Sequence, residues 1–263
     1  PILIYFKVGE RSMNNIAISF ILTLIAGLST LIGTIFIFIK CDQDKLTKYA
    51  LSFASGVMIC VSLIDLLPES ISLLINENSK NNTFINLFLY IVVGFLIPTT
   101  INICLKEEKN TYNPKLYKIG ILSMIAIIIH NIPEGIATFL SSSTNLSLGI
   151  SITIAIALHN IPEGISISVP IYNATKNKKK AILLTLISGM SEPLGAIIAY
   201  LIIGPVTNNI IMGNILAIVV GIMVNIAVIE LLPTALKYQN KKKTLIFFVI
   251  GIIFMYLSLR LMN

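Results

Sequence analysis

Eight runs of about twenty or more mostly apolar residues, separated by short polar connections, limit what this chain can fold into more than any other feature. The runs cover about 14–39, 49–75, 84–105, 117–141, 147–172, 181–204, 210–236 and 244–262. A hydrocarbon core about 30 Å thick is crossed by about 20 helical residues. No water is available there to satisfy backbone groups, so runs of this length without polar alternation must be helices rather than barrel strands. Composition agrees: 56% of residues are hydrophobic and 12% charged, against about 25% charged in soluble domains. The expected fold class is all-α, a polytopic membrane protein of about eight transmembrane helices.

A net charge of +7 would suit a nucleic-acid binder if the basic residues formed a patch. They do not. Fifteen of the 19 lie in alternate connections: Lys40, Lys45 and Lys48; Lys106, Lys109, Lys115 and Lys118; Lys176, Lys178, Lys179 and Lys180; Lys237, Lys241, Lys242 and Lys243. Under the positive-inside rule the connections after odd-numbered spans are cytoplasmic, which puts both termini outside and supports an even count. The lysines read as topological anchors at a lipid bilayer, and nucleic acid is excluded as a partner. Cys41, Cys60 and Cys104 form no CxxC or Cys/His cluster and read as free thiols. Residues 1–12 resemble neither a cleaved signal nor a domain, so a single transmembrane domain is expected over 13–263, with 1–12 as an extra N-terminal segment.

The outer spans repeat. GVMICVSLIDLLP from Gly56 to Pro68 matches GIMVNIAVIELLP from Gly221 to Pro233, and TLIAGLSTLIG from Thr23 to Gly33 matches TLISGMSEPLG from Thr185 to Gly195. The offsets, 165 and 162, are nearly equal, so one unit of three helices is duplicated. Span two runs outward and span seven inward, which makes the repeat inverted, an arrangement that in transporters puts binding sites near the midplane. Spans four and five stand between the copies in a 3+2+3 plan.

Those central spans carry a direct repeat, HNIPEGI from His130 and HNIPEGI from His159, which contains both histidines of the chain. Residues four apart share a helix face, so His130 lies beside Glu134 and His159 beside Glu163. Asn131 and Asn160 add amide oxygens one position round. Pro133 and Pro162 each remove a backbone donor and free a carbonyl four residues back. Gly135 and Gly164 let another backbone approach. Counted from the connection near residue 144, the two histidines fall at similar depth. Asp65, Glu69, Glu192 and Glu230 bring the membrane acids to six of the chain's 12.

A carboxylate at the bilayer centre costs roughly 2.5–3.5 kcal/mol on insertion scales, so it is normally paired, protonated or wet. Lys118 and Arg260, each within three residues of a run's end, are the only basic residues inside the eight runs, so none falls near the bilayer centre. Imidazole with carboxylate and amide oxygen is a divalent-metal donor set, and the missing countercharge is most simply the cargo itself. Zinc is the first candidate, with iron, manganese, cobalt and cadmium tolerated. No prosthetic cofactor is implied. Blander roles compete at several positions. A single membrane histidine can serve as an interhelical hydrogen-bond partner. Glu192, beside Pro193, can cap a broken helix. Asp65 and Glu230 can anchor helix ends, and Glu69 belongs nearer the outer mouth. Met58 and Met223 read as packing, while Cys60 and Asn225 stay open.

HNIPEGIATF from His130, ALHNIPEGISISVPIY from Ala157, SGMSEPLGA from Ser188 and the eight-span layout together resemble the ZIP (ZRT/IRT-like protein) family of metal transporters, in its bacterial ZupT-type branch. The resemblance spans nearly the whole chain from Met13. It implies inverted three-helix repeats and a binuclear metal centre between helices four and five, with uptake into the cytoplasm across a bacterial cytoplasmic membrane. Carried over by position, His130, Glu134, His159 and Glu163 are one metal site. Asn131, Glu134, Asn160, Glu163 and Glu192 are the adjacent one, with the two central glutamates bridging. Asp65, Glu69 and Glu230 are candidates along the transport pathway. One departure is plain: the connection from Lys106 to Lys118 has no histidine, which puts metal sensing by that loop in doubt. A proton-coupled exchanger or an exporter built on the same acids is the alternative. An intramembrane metallohydrolase lacks the HExxH arrangement it would need, so no enzymatic activity is expected. A homodimer is the candidate assembly.

Overall fold

The computed structural model describes residues 13–40, 42–75, 80–106, 108, 111–203, 209–238 and 240–260. Residues 1–12 and Cys41, about which the sequence raised expectations, lie outside them. Among the described residues, eight helices are long and apolar enough to cross a membrane: α1 Asn15–Phe38, α2 Gln43–Ile75, α3 Phe84–Cys104, α4 Pro114–Thr144, α5 Leu146–Thr175, α6 Lys178–Leu201, α7 Ile210–Leu236 and α8 Lys241–Arg260. Count and type agree with the sequence. Several helices start earlier than the apolar runs, because lysine-bearing turns of α2, α4, α6 and α8 stay helical after the hydropathy has fallen. Lysine is a good helix former and its stem reaches from apolar surroundings to water.

Side chains cap these early starts. The Asp42 carboxylate accepts the backbone N–H groups of Asp44 and Lys45 at the head of α2. The Lys45 N–H bond is the main cause that holds this exposed carboxyl below its ordinary range. Asn113 caps α4 through the Leu116 N–H, with Pro114 in the first turn, and Asn177 caps α6 through the Lys180 N–H. Asn145 alone joins α4 to α5. Its N–H donates to the Ser141 carbonyl and its side chain accepts the Leu148 N–H. Before α8, Asn240 adopts φ 66°, a left-handed conformation that asparagine tolerates.

The distribution of side chains is the reverse of a soluble protein's. Ile85, Phe88 and Leu89 of α3 and Ile246, Val249 and Ile253 of α8 point outward, whereas both histidines, Glu134, Glu163 and Glu192 and many Ser, Thr and Asn side chains are buried. Without a hydrophobic force between helices in lipid, small residues and interhelical hydrogen bonds drive association. Gly56 of α2 lies against the Phe248 backbone of α8, and Gly251 of α8 against Phe53 of α2. Gly94 of α3 and Gly221 of α7 pair the same way with Ile218 and Ile91. Nearer the centre, Gly27 of α1 and Gly189 of α6 meet each other's backbone carbonyls. Ser52 donates to the Thr244 carbonyl at 2.5 Å, tying α2 to α8, and Ser55 to the Ala227 carbonyl at 2.9 Å, tying α2 to α7. Asn225 donates to the Phe95 carbonyl and to Thr99, and so joins α7 to α3. Cys60, Met58 and Met223 are buried in the apolar cluster between α2 and α7.

Several helices depart from α geometry. Val61–Leu66 of α2 and Ile226–Leu231 of α7 are wide π turns at equivalent places in the repeat, 165 residues apart. The second half of α1, Thr30–Phe38, is a narrow 3-10 helix. Helix α6 is interrupted at Met190 and restarts at Ser191. Such irregularities concentrate at functional positions.

Candidate metal centre

The two HNIPEG motifs face each other across the α4–α5 contact. Both arms leave Asn145 at nearly equal length, so the histidines come level, with ring centroids 6.1 Å apart. The Nε2 atoms of His130 and His159 lie 3.1 and 2.9 Å from the same Glu134 Oε1. Glu163 Oε1 lies 3.5 Å from His130 Nε2. Ligand atoms of His130, Glu134 and His159 fall within 4.8 Å of one another, and all three residues are buried. One carboxylate oxygen approached by two imidazole nitrogens is a close-packed N/O donor set of the kind that holds a dication. His130 and Glu134 meet at the four-residue spacing read from sequence, whereas the partner of His159 is Glu134 of the facing helix. Cross-helix pairing of this kind was not legible in a linear spacing rule.

A second group of polar atoms adjoins the first. Asn160 donates to the Glu192 carboxylate of α6 and, at 2.9 Å, to the Ala26 carbonyl of α1. Helix α6 comes this close because Gly135 lies directly against the Glu192 backbone, with no side chain between. Asn131 is fully buried, and neither amide atom has a hydrogen-bond partner among the described residues. Both Glu163 oxygens and one Glu192 oxygen also lack one. Buried polar groups are nearly always satisfied. Such a concentration of unpaired donors and acceptors therefore marks a place built for a polar ligand.

A cavity of about 380 Å³ leads to Glu134 and His159 from the end of the bundle that carries the Asn145 connection. Asp65 and Glu69 of α2 line it, with Ser141 of α4 and Ser151 of α5. Those two hydroxyls escaped the sequence reading, since isolated serines in apolar runs carry no signal. On the other side of the centre, Leu122, Ala126 and Ile129 of α4 pack with Ile222 of α7 and Ile97 of α3, leaving no room for water. Glu230 stands apart. Although it matches Asp65 in the repeat, its carboxylate accepts the Asn102 amide of α3 at 2.7 Å and does not line the cavity.

The geometry has a counterpart among known proteins. Residues 106–259 match the family model described as ZIP Zinc transporter. The chain is similar to the zinc transporter ZupT of Streptococcus mutans, with 42% identity over 92% of this chain and 97% of the relative. It is similar to proteins of the same name from Clostridium perfringens, at 40% identity over 96% of this chain and 99% of the relative, and from Campylobacter jejuni, at 37% over 97% and 99%. The chain belongs to the ZIP zinc transporter family.

Proposed function

We propose that this ZIP-family chain takes up Zn²⁺ through a two-metal centre between α4 and α5, with Fe²⁺, Mn²⁺, Co²⁺ and Cd²⁺ as further cargo. The observation that carries the reading is the cluster of His130, Glu134 and His159, whose ligand atoms lie within 4.8 Å of one another inside membrane-spanning helices. Imidazole and carboxylate suit zinc at about 2.0–2.2 Å per ligand. Oxygen-rich positions broaden the range toward harder ions. The first position takes His130, Glu134, His159 and Glu163. The second takes Asn131, Glu134, Asn160, Glu163 and Glu192, with Glu134 and Glu163 shared. The relatives' name, zinc transporter, supports zinc as the principal ion.

Asp65 and Glu69 serve as the inlet. Their cavity opens opposite the lysine-rich connections, and the positive-inside rule makes that the outer side of a bacterial cytoplasmic membrane, with both termini outside. An ion arriving there reaches Glu134, and the apolar packing around Ile129 and Ile222, which leaves no room for water, is assigned to the closed inner side of an outward-facing state. Glu230, on the lysine-rich side, is assigned to the exit. Reciprocal glycine contacts and paired π turns support α1–α3 and α6–α8 as inverted repeats around α4 and α5. The functional domain spans 13–263, and its assembly is proposed as a homodimer, to be measured by mass in detergent.

Purified protein in liposomes, loaded inside with a zinc-responsive dye, tests the function. Zinc added outside a right-side-out population should enter and saturate, with the other four ions competing. Accumulation that runs outward, or that requires an opposing proton gradient, would replace uptake by the exporter or exchanger alternative. No metal flux in either direction would end the transporter reading.

A further inference from the structure

Glu192 has a structural mate. In the repeated segments TLIAGLSTLIG and TLISGMSEPLG, the position of Glu192 is held in the first copy by Thr30, 162 residues earlier. The structure carries this equivalence into space. The Glu192 carbonyl lies against Gly135 of the first HNIPEG motif, and the Thr30 carbonyl lies against Gly164 of the second. Gly195, three residues after Glu192, rests on Ile132 of α4, and Gly33, three residues after Thr30, rests on Ile161 of α5. Both residues also sit where their helix changes form, Thr30 at the start of the 3-10 segment and Glu192 just after the interruption at Met190.

Hydrogen bonding breaks this symmetry. On one side the Asn160 amide nitrogen spends both its hydrogens, on Glu192 and on the Ala26 carbonyl, and only its Oδ1 lacks a partner among the described residues. On the other, the corresponding residues are Asn131, Thr30 and Ser188, all at 0% exposure. Thr30 Oγ1, Ser188 Oγ and both Asn131 amide atoms lack a hydrogen-bond partner among the described residues. Thr30 Oγ1 is turned toward α6, 3.2 Å from where a Cβ on Gly189 would stand, beside Ser188. Threonine in a membrane helix ordinarily returns its hydroxyl to a carbonyl of the preceding turn, as Thr23 does to Ser19 and Thr34 does to Leu31. Thr30 forgoes that bond.

We propose that Thr30 is an unassigned member of the metal centre, its hydroxyl supplying the second metal position with a neutral oxygen, directly or through one held water, opposite the Glu192 carboxylate. This rests on the two-metal reading above and adds a ligand from α1 to it. The consequence is a charge setting. A carboxylate at both mates would hold a dication more tightly and release it more slowly. A hydroxyl on one side fills the coordination shell without a second fixed charge.

The test uses the full chain, purified metal-free, with zinc counted by elemental analysis and titrated calorimetrically. Wild type should bind two zinc ions. Thr30→Val, which keeps the shape and removes the hydroxyl, should weaken the second by about tenfold or more, the range seen when groups supporting a metal are lost. The first ion should be unchanged, Thr30→Ser should restore binding, and Thr30→Glu should tighten the second ion. Equal affinities in wild type and Thr30→Val overturn the proposal, as does a Thr30→Val protein whose metal-free melting temperature falls together with its affinity. Fewer than two zinc ions in wild type sinks the two-metal reading itself, which separates the two failures.

Discussion

Replacing Glu134 by glutamine should disable metal binding while leaving the protein folded. Its Oε1 is the atom both imidazoles approach, at 3.1 and 2.9 Å. The cluster's ligand atoms lie within 4.8 Å of one another, so an ion among them sits within about 4 Å of the Glu134 charge. At an effective dielectric of about 20, two unit charges 4 Å apart attract by roughly 4 kcal/mol, so a dication and a carboxylate attract by roughly 8 kcal/mol. Dehydration of ion and carboxylate opposes this gain. If about two thirds is cancelled, roughly 2.7 kcal/mol remains, or about 100-fold in affinity. Glutamine preserves volume and leaves an oxygen for an imidazole N–H, so the metal-free melting temperature should stay within a few degrees of wild type. Calorimetric zinc titration and dye-reported uptake in liposomes read the first effect, and a thermal melt in detergent reads the second. A dissociation constant within threefold of wild type would refute the central place given to this carboxylate. A collapse in melting temperature would refute its being a ligand rather than a structural pair.

His130→Ala should shift metal preference toward oxygen-seeking ions such as Mn²⁺ rather than abolish transport, because carboxylate and amide donors remain; competition assays against zinc would detect an unchanged order and count against the assignment. Gly135→Ala drives a methyl into the Glu192 backbone. Overpacking of this kind costs roughly 1–3 kcal/mol, and a lower melting temperature with weaker metal binding is expected, whereas a neutral result would deny that close contact. Asp65→Asn with Glu69→Gln should lower uptake severalfold at sub-saturating zinc, more at low than at high ionic strength. Glu230→Gln should leave zinc binding from the outer side intact, and weakened binding at equilibrium would contradict its separation from the cavity.

The clustering of His130, Glu134 and His159 was foreshadowed in the sequence because histidine and glutamate are expensive to place inside apolar runs. The helix count was legible because lipid imposes a length. Helix starts were misread where Lys45, Lys115 and Lys178 extend the helices beyond the hydropathy signal. Asp65 and Glu230 looked alike because the repeat gives them the same neighbours in sequence. Their fates diverge through tertiary partners, since Asp65 meets a cavity and Glu230 meets Asn102. Pairing of His159 with Glu134 was equally hidden, because a four-residue rule sees one helix at a time. Thr30 carries no charge and stands in an apolar run, so composition gave no reason to single it out. Its position became informative once Glu192 was known to touch Asn160.

The single-residue link at Asn145 acts as the fixed hinge of a caliper. His130 stands fifteen positions before it and His159 fourteen after, which sets each jaw at roughly 21–23 Å from the hinge at 1.5 Å per residue. Because Asn145 ends one helix and begins the next, no slack exists to absorb a change in either arm. Adding or deleting one residue between the link and a motif would turn that motif by about 100° and slide it by about 1.5 Å, carrying its imidazole off the shared face. Insertions are therefore tolerable on the far side of each motif and forbidden on the near side, so the reach of these two arms is a dimension the gene must keep.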